Sequence, residues 1–272
     1  MNNINQIIGG LFPHREPKED EYINEADGLI YCAKCRTPRQ CVIHHGERII
    51  TPPVMCDCQR ITEEREEAAF QKRQAEFRIE RMKASGLQDR YLHDYTFTND
   101  KGYNPEISKA REYVAQWNEM KKNCIGLLMW GDVGTGKTFI AACIANALID
   151  QGVRVLVTRL SDLVRNRVQD KYAVVDFHDF DLIVLDDIGV EGATQTAYNI
   201  VDDIYRANIP LIVTTNLSLS QLKESTSIEK QRIYDRILQR ASYPIKVDVT
   251  ISRLEIARKN AKDIQDILNE GL

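Results

Sequence analysis

The run Gly131-Asp-Val-Gly-Thr-Gly-Lys137-Thr138 constrains this chain more than any other feature. It meets the phosphate-binding template G-x-x-x-x-G-K-[ST] at every fixed position. The apolar residues 125–130 precede it and suit a buried strand. Residues 139–149 follow, with Ile140, Cys143, Ile144, Ala147 and Leu148 at helical spacing. A glycine-rich turn between strand and helix aims backbone N–H groups at one point, where the helix dipole favours an anion. Gly131, Asp132, Val133, Gly134, Thr135 and Gly136 are therefore the expected phosphate cradle. Lys137 is the cation expected to reach the outer phosphates, and Thr138 the hydroxyl expected to hold Mg²⁺. The ligand implied is a nucleoside triphosphate.

A second element complements the first. Asp181-Leu-Ile-Val-Leu-Asp186-Asp187 is an apolar strand ending in two carboxylates, about 50 residues beyond the glycine-rich run. Asp186 is expected to hold Mg²⁺ through water, and Asp187 to orient or activate the attacking water. The next apolar run, Leu211-Ile-Val-Thr-Thr-Asn216, ends in an amide. No N-K-x-D or T-K-x-D run for reading guanine follows, which favours ATP over GTP.

Beyond residue 87, strands alternate with helices, the signature of an α/β fold with a mostly parallel sheet. The pattern predicts strands at 126–130, 153–157, 181–185, 211–214 and 245–249. It predicts helices at 107–120, 137–150, 160–168, 196–207, 229–240 and 254–268. Before this lies a different organisation. Residues 1–28 are polar and read as a loose start, 29–59 are cysteine-rich, and 60–86 are dense in Glu, Arg, Lys, Gln and Ala, good helix formers. The apolar residues of that third stretch form too thin a stripe for a core helix, so it reads as a solvated connector ended by Ser85-Gly86. The ATPase domain is expected to occupy 87–272.

Seven cysteines, five of them between Cys32 and Cys58, point to a metal rather than disulfides. Cys32-Ala-Lys-Cys35 and Cys56-Asp-Cys58 can together satisfy tetrahedral Zn²⁺ and hold a module too small for a core of its own. The second pair is C-x-C rather than C-x-x-C, so Cys41, His44 or His45 remains open as a substitute ligand. Cys124 and Cys143 read as small core hydrophobes. Hydrophobic residues make up 43% of the 272, charged residues 28%, and net charge is −4. No apolar run approaches the roughly 18 residues of a membrane span, and the N-terminus lacks the build of a signal peptide. The expected setting is cytoplasmic, with no membrane partner.

The order GDVGTGKT, DLIVLDDIG, PLIVTTNLS, RIYDRILQRA resembles the DnaC/DnaI helicase loaders and the related IstB transposition ATPases, both within the AAA+ class. The segment Tyr91-Leu-His-Asp-Tyr-Thr-Phe97 is similar to the entry of that family's ATPase domain, where it flanks the adenine. The resemblance implies an AAA+ P-loop sheet, with Asn216 as the sensor near the γ-phosphate. It implies Arg236 as an arginine finger acting on a neighbouring subunit's ATP, with Arg232 as back-up. Arg253 stands nearest the place of a second sensor, although the usual preceding glycine is missing, and Arg258 is its alternative. The implied partners are a replicative DNA helicase, docked by the N-terminal region, further copies of the chain, and single-stranded DNA. The DNA contacts implied are Arg165, Arg167, Lys171 and Tyr172. A transposition ATPase partnering a transposase is the other implied role, and the cysteine-rich module favours the loader. Asp187 stands where AAA+ proteins mostly carry Glu, which implies slow turnover.

Overall fold

The computed structural model describes residues 16–46, 48–172, 174–189, 195–224 and 227–248. Arg253, Arg258 and the helix expected at 254–268 lie outside the described residues. The chain divides into two compact units, Met1–Phe77 and Arg78–Leu272.

The first unit contains two short hairpins. β1 (Glu21–Ile23) pairs antiparallel with β2 (Ile30–Cys32), Tyr22 opposite Tyr31, and β3 (Ile43–His45) pairs with β4 (Arg48–Ile50). Within the start expected to be loose, Glu21–Ile23 belong to this pairing. The reason is a buried guanidinium. Arg39 donates to Glu21 at 2.7 Å and to Asp20 at 2.8 Å, which ties the upstream segment to the turn after β2. The connector helix also begins earlier than expected. α1 spans Asp57–Gly86, so its first turn contains Cys58 with Cys56 immediately before it, and the Thr37 hydroxyl accepts the Asp57 N–H at 3.0 Å. Residues 59–78 of α1 are exposed on every face, as the thin apolar stripe implied. The last residue of α1 must be glycine, because a Cβ at Gly86 would lie 2.0 Å from the Val155 carbonyl oxygen. Leu87 then pairs with Val157.

In the second unit, α2 (Ile107–Ala115) and α3 (Trp117–Lys122) divide a single expected helix, the break falling at Gln116. There follow β5 (Leu127–Trp130), α4 (Lys137–Asp150), β6 (Val155–Thr158), α5 (Leu160–Gln169), β7 (Leu182–Ile188) and α6 (Gln195–Ala207). Then come β8 (Leu211–Thr215), the short α7 (Leu219–Lys223), α8 (Ile228–Arg240) and β9 (Tyr243–Lys246). The five strands form one parallel sheet in the order β6-β7-β8-β5-β9, the α/β architecture expected. β9 lies two residues upstream of its expected start, pairing Tyr243 with Leu127. Pro244 is tolerated there because β9 is an edge strand and needs no N–H on its outer side.

Side chains alternate across this sheet with period two. Leu127, Met129, Val155, Val157, Leu182 and Val184 face one core with α2, α3 and α4. Leu128, Leu156, Ile183, Leu185, Leu211 and Val213 face the other with α5, α6 and α8. Both faces are covered, so the strands read as continuous apolar runs. α4 is apolar almost all round because helix and segment 92–97 enclose it; its buried Asn146 donates to the Leu92 and Tyr95 carbonyls at 2.8 and 3.0 Å.

Just before β7, Asp181 joins the sheet to its flanking helix. It accepts from Lys121 at 2.9 Å, from the Arg154 side chain at 3.2 Å and from the Arg154 N–H at 3.1 Å. Burial pushes its carboxyl up, but the bonds from Arg154 and Lys121 outweigh this and hold it at about 2. A carboxyl held below its unfolded value near 4 stabilises the fold fully above that pH and loses the contribution as pH falls towards 2. Asp181→Asn is therefore expected to lower stability by about 1 kcal/mol at pH 5, with the gap narrowing at pH 3. Urea unfolding of both chains at the two pH values checks this, and a gap that stays constant rules it out.

Candidate functional site

The glycine-rich turn joins β5 to α4 at the carboxyl edge of the sheet, where ligands of open α/β sheets bind. Gly136, the residue capping α4, has φ +89, a left-handed conformation suited to glycine. Lys137 is buried and folds back on the turn. Its ammonium donates to the Gly131 carbonyl at 2.9 Å and the Asp132 carbonyl at 2.8 Å. Asn104, which nothing in the sequence marked, fastens the turn from outside. Its amide donates to the Thr135 carbonyl at 2.9 Å, and its side-chain oxygen accepts the Glu106 N–H at 2.9 Å.

The expected catalytic groups come together beside this turn. The Thr138 hydroxyl donates to Asp186 at 2.9 Å, and the Thr214 hydroxyl donates to the same carboxylate at 2.7 Å. Asp186 is only 6% exposed, so these hydroxyls satisfy a carboxylate withdrawn from water. Asp187 has φ +56 and accepts from the Asn216 amide at 2.9 Å. Thr138, Asp186, Thr214, Asp187 and Asn216 thus form one hydrogen-bonded series across the ends of three neighbouring strands. Thr214 was missed as a site residue; its signal was a polar residue two before Asn216 in an otherwise buried strand. Segment 91–97 packs on the helix that follows the turn, Tyr95 meeting the Phe139 ring at 5.2 Å.

Arg236 stands apart from this series. Its guanidinium pairs with Asp202 of α6, donates to the Tyr198 hydroxyl at 2.8 Å, and lies over the Tyr198 and Tyr205 rings at 5.1 and 5.2 Å. Arg232, one turn earlier on α8, is exposed. Of the expected DNA contacts, Arg165 pairs with Asp162 at 2.7 Å and Arg167 with Asp203 at 3.7 Å. Lys171 lies over the Tyr172 ring, which is 80% exposed.

In the first unit, the sulfurs of Cys32, Cys35, Cys56 and Cys58 all lie within 4.8 Å of one another. Thiolates about 2.3 Å from a tetrahedral Zn²⁺ would be roughly 3.8 Å apart, so the donor set fits that ion. The Thr37 hydroxyl, 3.1 Å from Cys35, holds that thiol down at about 5. Arg39 approaches Cys32 at 3.7 Å. Among the described residues, neither Cys41 nor His44 joins the group, and the side chain of His45 is outside them. Burial pushes the Cys143 thiol up to about 12, as befits a core residue. Cys124 differs from its expected core role: it is half-exposed and its thiol donates to the Asn208 carbonyl at 2.8 Å.

A family model described as "IstB-like ATP binding protein" matches residues 58–259. The replicative helicase loader DnaC of Escherichia coli strain K12 is 31% identical over 140 residues, covering 48% of this chain and 56% of that protein. The replicative helicase loader DnaI of Bacillus subtilis strain 168 is 27% identical over 157 residues, covering 50% of each. The chain therefore spans about half the length of these relatives. A crystal structure of DnaI shares the fold, with a TM-score of 0.51 at 22% identity, over 60% of this chain and 96% of that one.

Asn104 offers a direct check on the geometry of the turn. Asn104→Leu removes both of its hydrogen bonds at similar volume and leaves the buried Thr135 carbonyl without its partner. The expected cost is about 1–3 kcal/mol, measured by urea unfolding; a change under about 0.5 kcal/mol, the range of an ordinary surface substitution, would show that the strap does not hold the loop.

Proposed function

The chain belongs to the IstB-like ATP binding protein family, and on that premise we propose that it binds and hydrolyses ATP with Mg²⁺ to load a replicative DNA helicase. The observation that carries the ATPase reading is the 2.9 Å hydrogen bond from Thr138 to Asp186, which joins the glycine-rich turn to the carboxylate strand. Backbone N–H groups of residues 131–136 cradle the phosphates, and Lys137 exchanges its carbonyl partners for phosphate oxygens. Thr138 and Asp186 are the residues that would hold Mg²⁺, which supplies positive charge against the developing charge on the phosphates. Asp187 orients the attacking water, and Asn216, already bonded to Asp187, reports on the γ-phosphate. The shorter Asp in place of Glu gives slow turnover, stimulated by DNA or by assembly.

Helicase loading is supported by the names of the two relatives and by the resemblance of four motifs in order. In this reading the cysteine module and α1 dock the helicase, and the α5 face with Lys171 and Tyr172 grips single-stranded DNA. Arg236 acts on ATP held by a neighbouring copy, which requires it to leave Asp202. Arg253 is its proposed companion as second sensor. The protein is proposed to work in the cytoplasm; among the described residues no helix is long and apolar enough to cross a membrane.

The nucleotide reading is tested with a fluorescent ATP analogue. Lys137→Ala is expected to weaken binding at least about tenfold, the loss of charge-assisted bonds to phosphate; equal affinity in both chains would end the motor interpretation. For the partner, wild type is expected to retain a hexameric helicase in a pull-down. A chain that instead retains a transposase and no helicase favours the transposition role.

Zn²⁺ would be held by Cys32, Cys35, Cys56 and Cys58 and would brace the module rather than react, since no adjacent Glu completes a hydrolytic motif. Elemental analysis is expected to find about one zinc per chain. The double change Cys32→Ser with Cys35→Ser is expected to lose the metal and helicase capture while keeping ATP affinity. Full metal content in that variant would exclude this ligand set.

A further inference from the structure

The ladder between β7 and β8 is interrupted where the two carboxylates stand. Leu185 pairs with Val213 and Ile188 pairs with Thr215. Two residues of β7, Asp186 and Asp187, therefore oppose one residue of β8, Thr214. This is a β-bulge, a device that re-aims a side chain at the cost of ladder bonds. In this bulge Asp187 takes φ +56, a left-handed conformation that residues other than glycine adopt only when neighbours hold them there.

Thr214 is the neighbour that does so. It is 1% exposed. Its hydroxyl accepts the Asp187 N–H at 2.8 Å and donates its proton to Asp186 at 2.7 Å. One hydroxyl thus stands in for the missing ladder bond and serves both acids of the site. The next residue secures the other side of the bulge: the Thr215 hydroxyl donates to the Ile188 carbonyl at 2.9 Å and accepts the Leu217 N–H at 3.1 Å. A valine at position 214 would suit the strand as well in shape and burial, but it could make neither bond.

We propose that Thr214 is a positioning residue for hydrolysis, fixing the backbone at Asp187 so that this carboxylate and its Asn216 partner meet the attacking water. The proposal rests on the ATPase reading above. Thr214 touches no phosphate in this role; it acts through Asp187.

Thr214→Val tests it. Turnover is expected to fall on the order of tenfold, since the valine removes both the bond that holds the Asp187 N–H and the bond to Asp186. Affinity for the ATP analogue should stay within about threefold, because Lys137 and the turn are untouched. Thr214→Ser, which keeps the hydroxyl, should restore turnover to within about threefold of wild type. Placed on an Asp187→Ala chain, Thr214→Val should cause a clearly smaller loss, about threefold or less, from its remaining bond to Asp186. Thermal unfolding verifies that each chain folds, and Thr214→Ala provides the same cycle if the valine chain does not. Wild-type turnover in Thr214→Val, an equal loss on the Asp187→Ala chain, or a parallel loss of ATP affinity each overturns the proposal while leaving the ATPase reading standing. A wild type with no turnover, with or without single-stranded DNA, counts against the ATPase reading itself and takes this proposal with it.

Discussion

A carboxylate withdrawn from water organises the carboxyl edge of the sheet. Asp186 is buried, and a buried ionised group is costly unless hydrogen bonds replace its hydration. The replacements come from Thr138 at the start of α4 and from Thr214 on β8. Both bonds form only when the helix after the glycine-rich turn is seated over β7 and when β8 lies beside β7 in its observed register. Satisfying one polar group and assembling the nucleotide site are therefore the same event. The left-handed backbone at Asp187, which costs a residue with a side chain about 1 kcal/mol, is held by the same threonine. The apolar cores on the two faces of the sheet supply the rigidity that sustains it.

The first unit solves a different problem. Among its described residues the buried apolar ones are few, Ile30, Cys32 and Cys56, and such a module needs staples. The four cysteines and the buried Arg39–Glu21 pair are the staples it has. An ion pair of this kind contributes little net stability, because desolvation offsets much of the attraction. What it does is select one arrangement of β1 against the turn after β2. α1 then continues as a helix exposed on all sides, with pairs such as Arg60–Glu64 and Lys72–Glu76 at i,i+4 spacing. Its last residues belong to the second unit, where Ile79 and Met82 pack against that unit's own core.

The contacts that hold Arg236 within the chain compete with the role proposed for it. Within the chain, Asp202 and two tyrosine rings hold its guanidinium in a packed, charge-paired setting. An arginine acting on a neighbouring copy must break those contacts, so the packing between α6 and α8 opposes such a role in the isolated chain. The geometry also explains why the pattern of motifs alone says nothing about this competition: Tyr198, Asp202 and Tyr205 belong to a helix far from α8 in sequence.

The class of fold, the glycine-rich turn, the carboxylate strand and the presence of a cysteine-rich metal module are legible in the chain alone, whereas the grouping of Cys32, Cys35, Cys56 and Cys58 needed the folded module. The former are local patterns, readable because buried parallel strands read as apolar runs and because phosphate and metal sites need particular residues at short spacing. Tertiary structure alone decided the strand order, the break in the helix at Gln116, the pairing of Glu21–Ile23 and the roles of Asn104 and Thr214. The roles of Asn104 and Thr214 each depend on a polar group meeting a partner from another element, across 31 residues for Asn104 with Thr135 and 28 for Thr214 with Asp186. Hydrogen bonds at such separations leave no periodicity in the chain, since it is the packing of the cores that brings their donors and acceptors together.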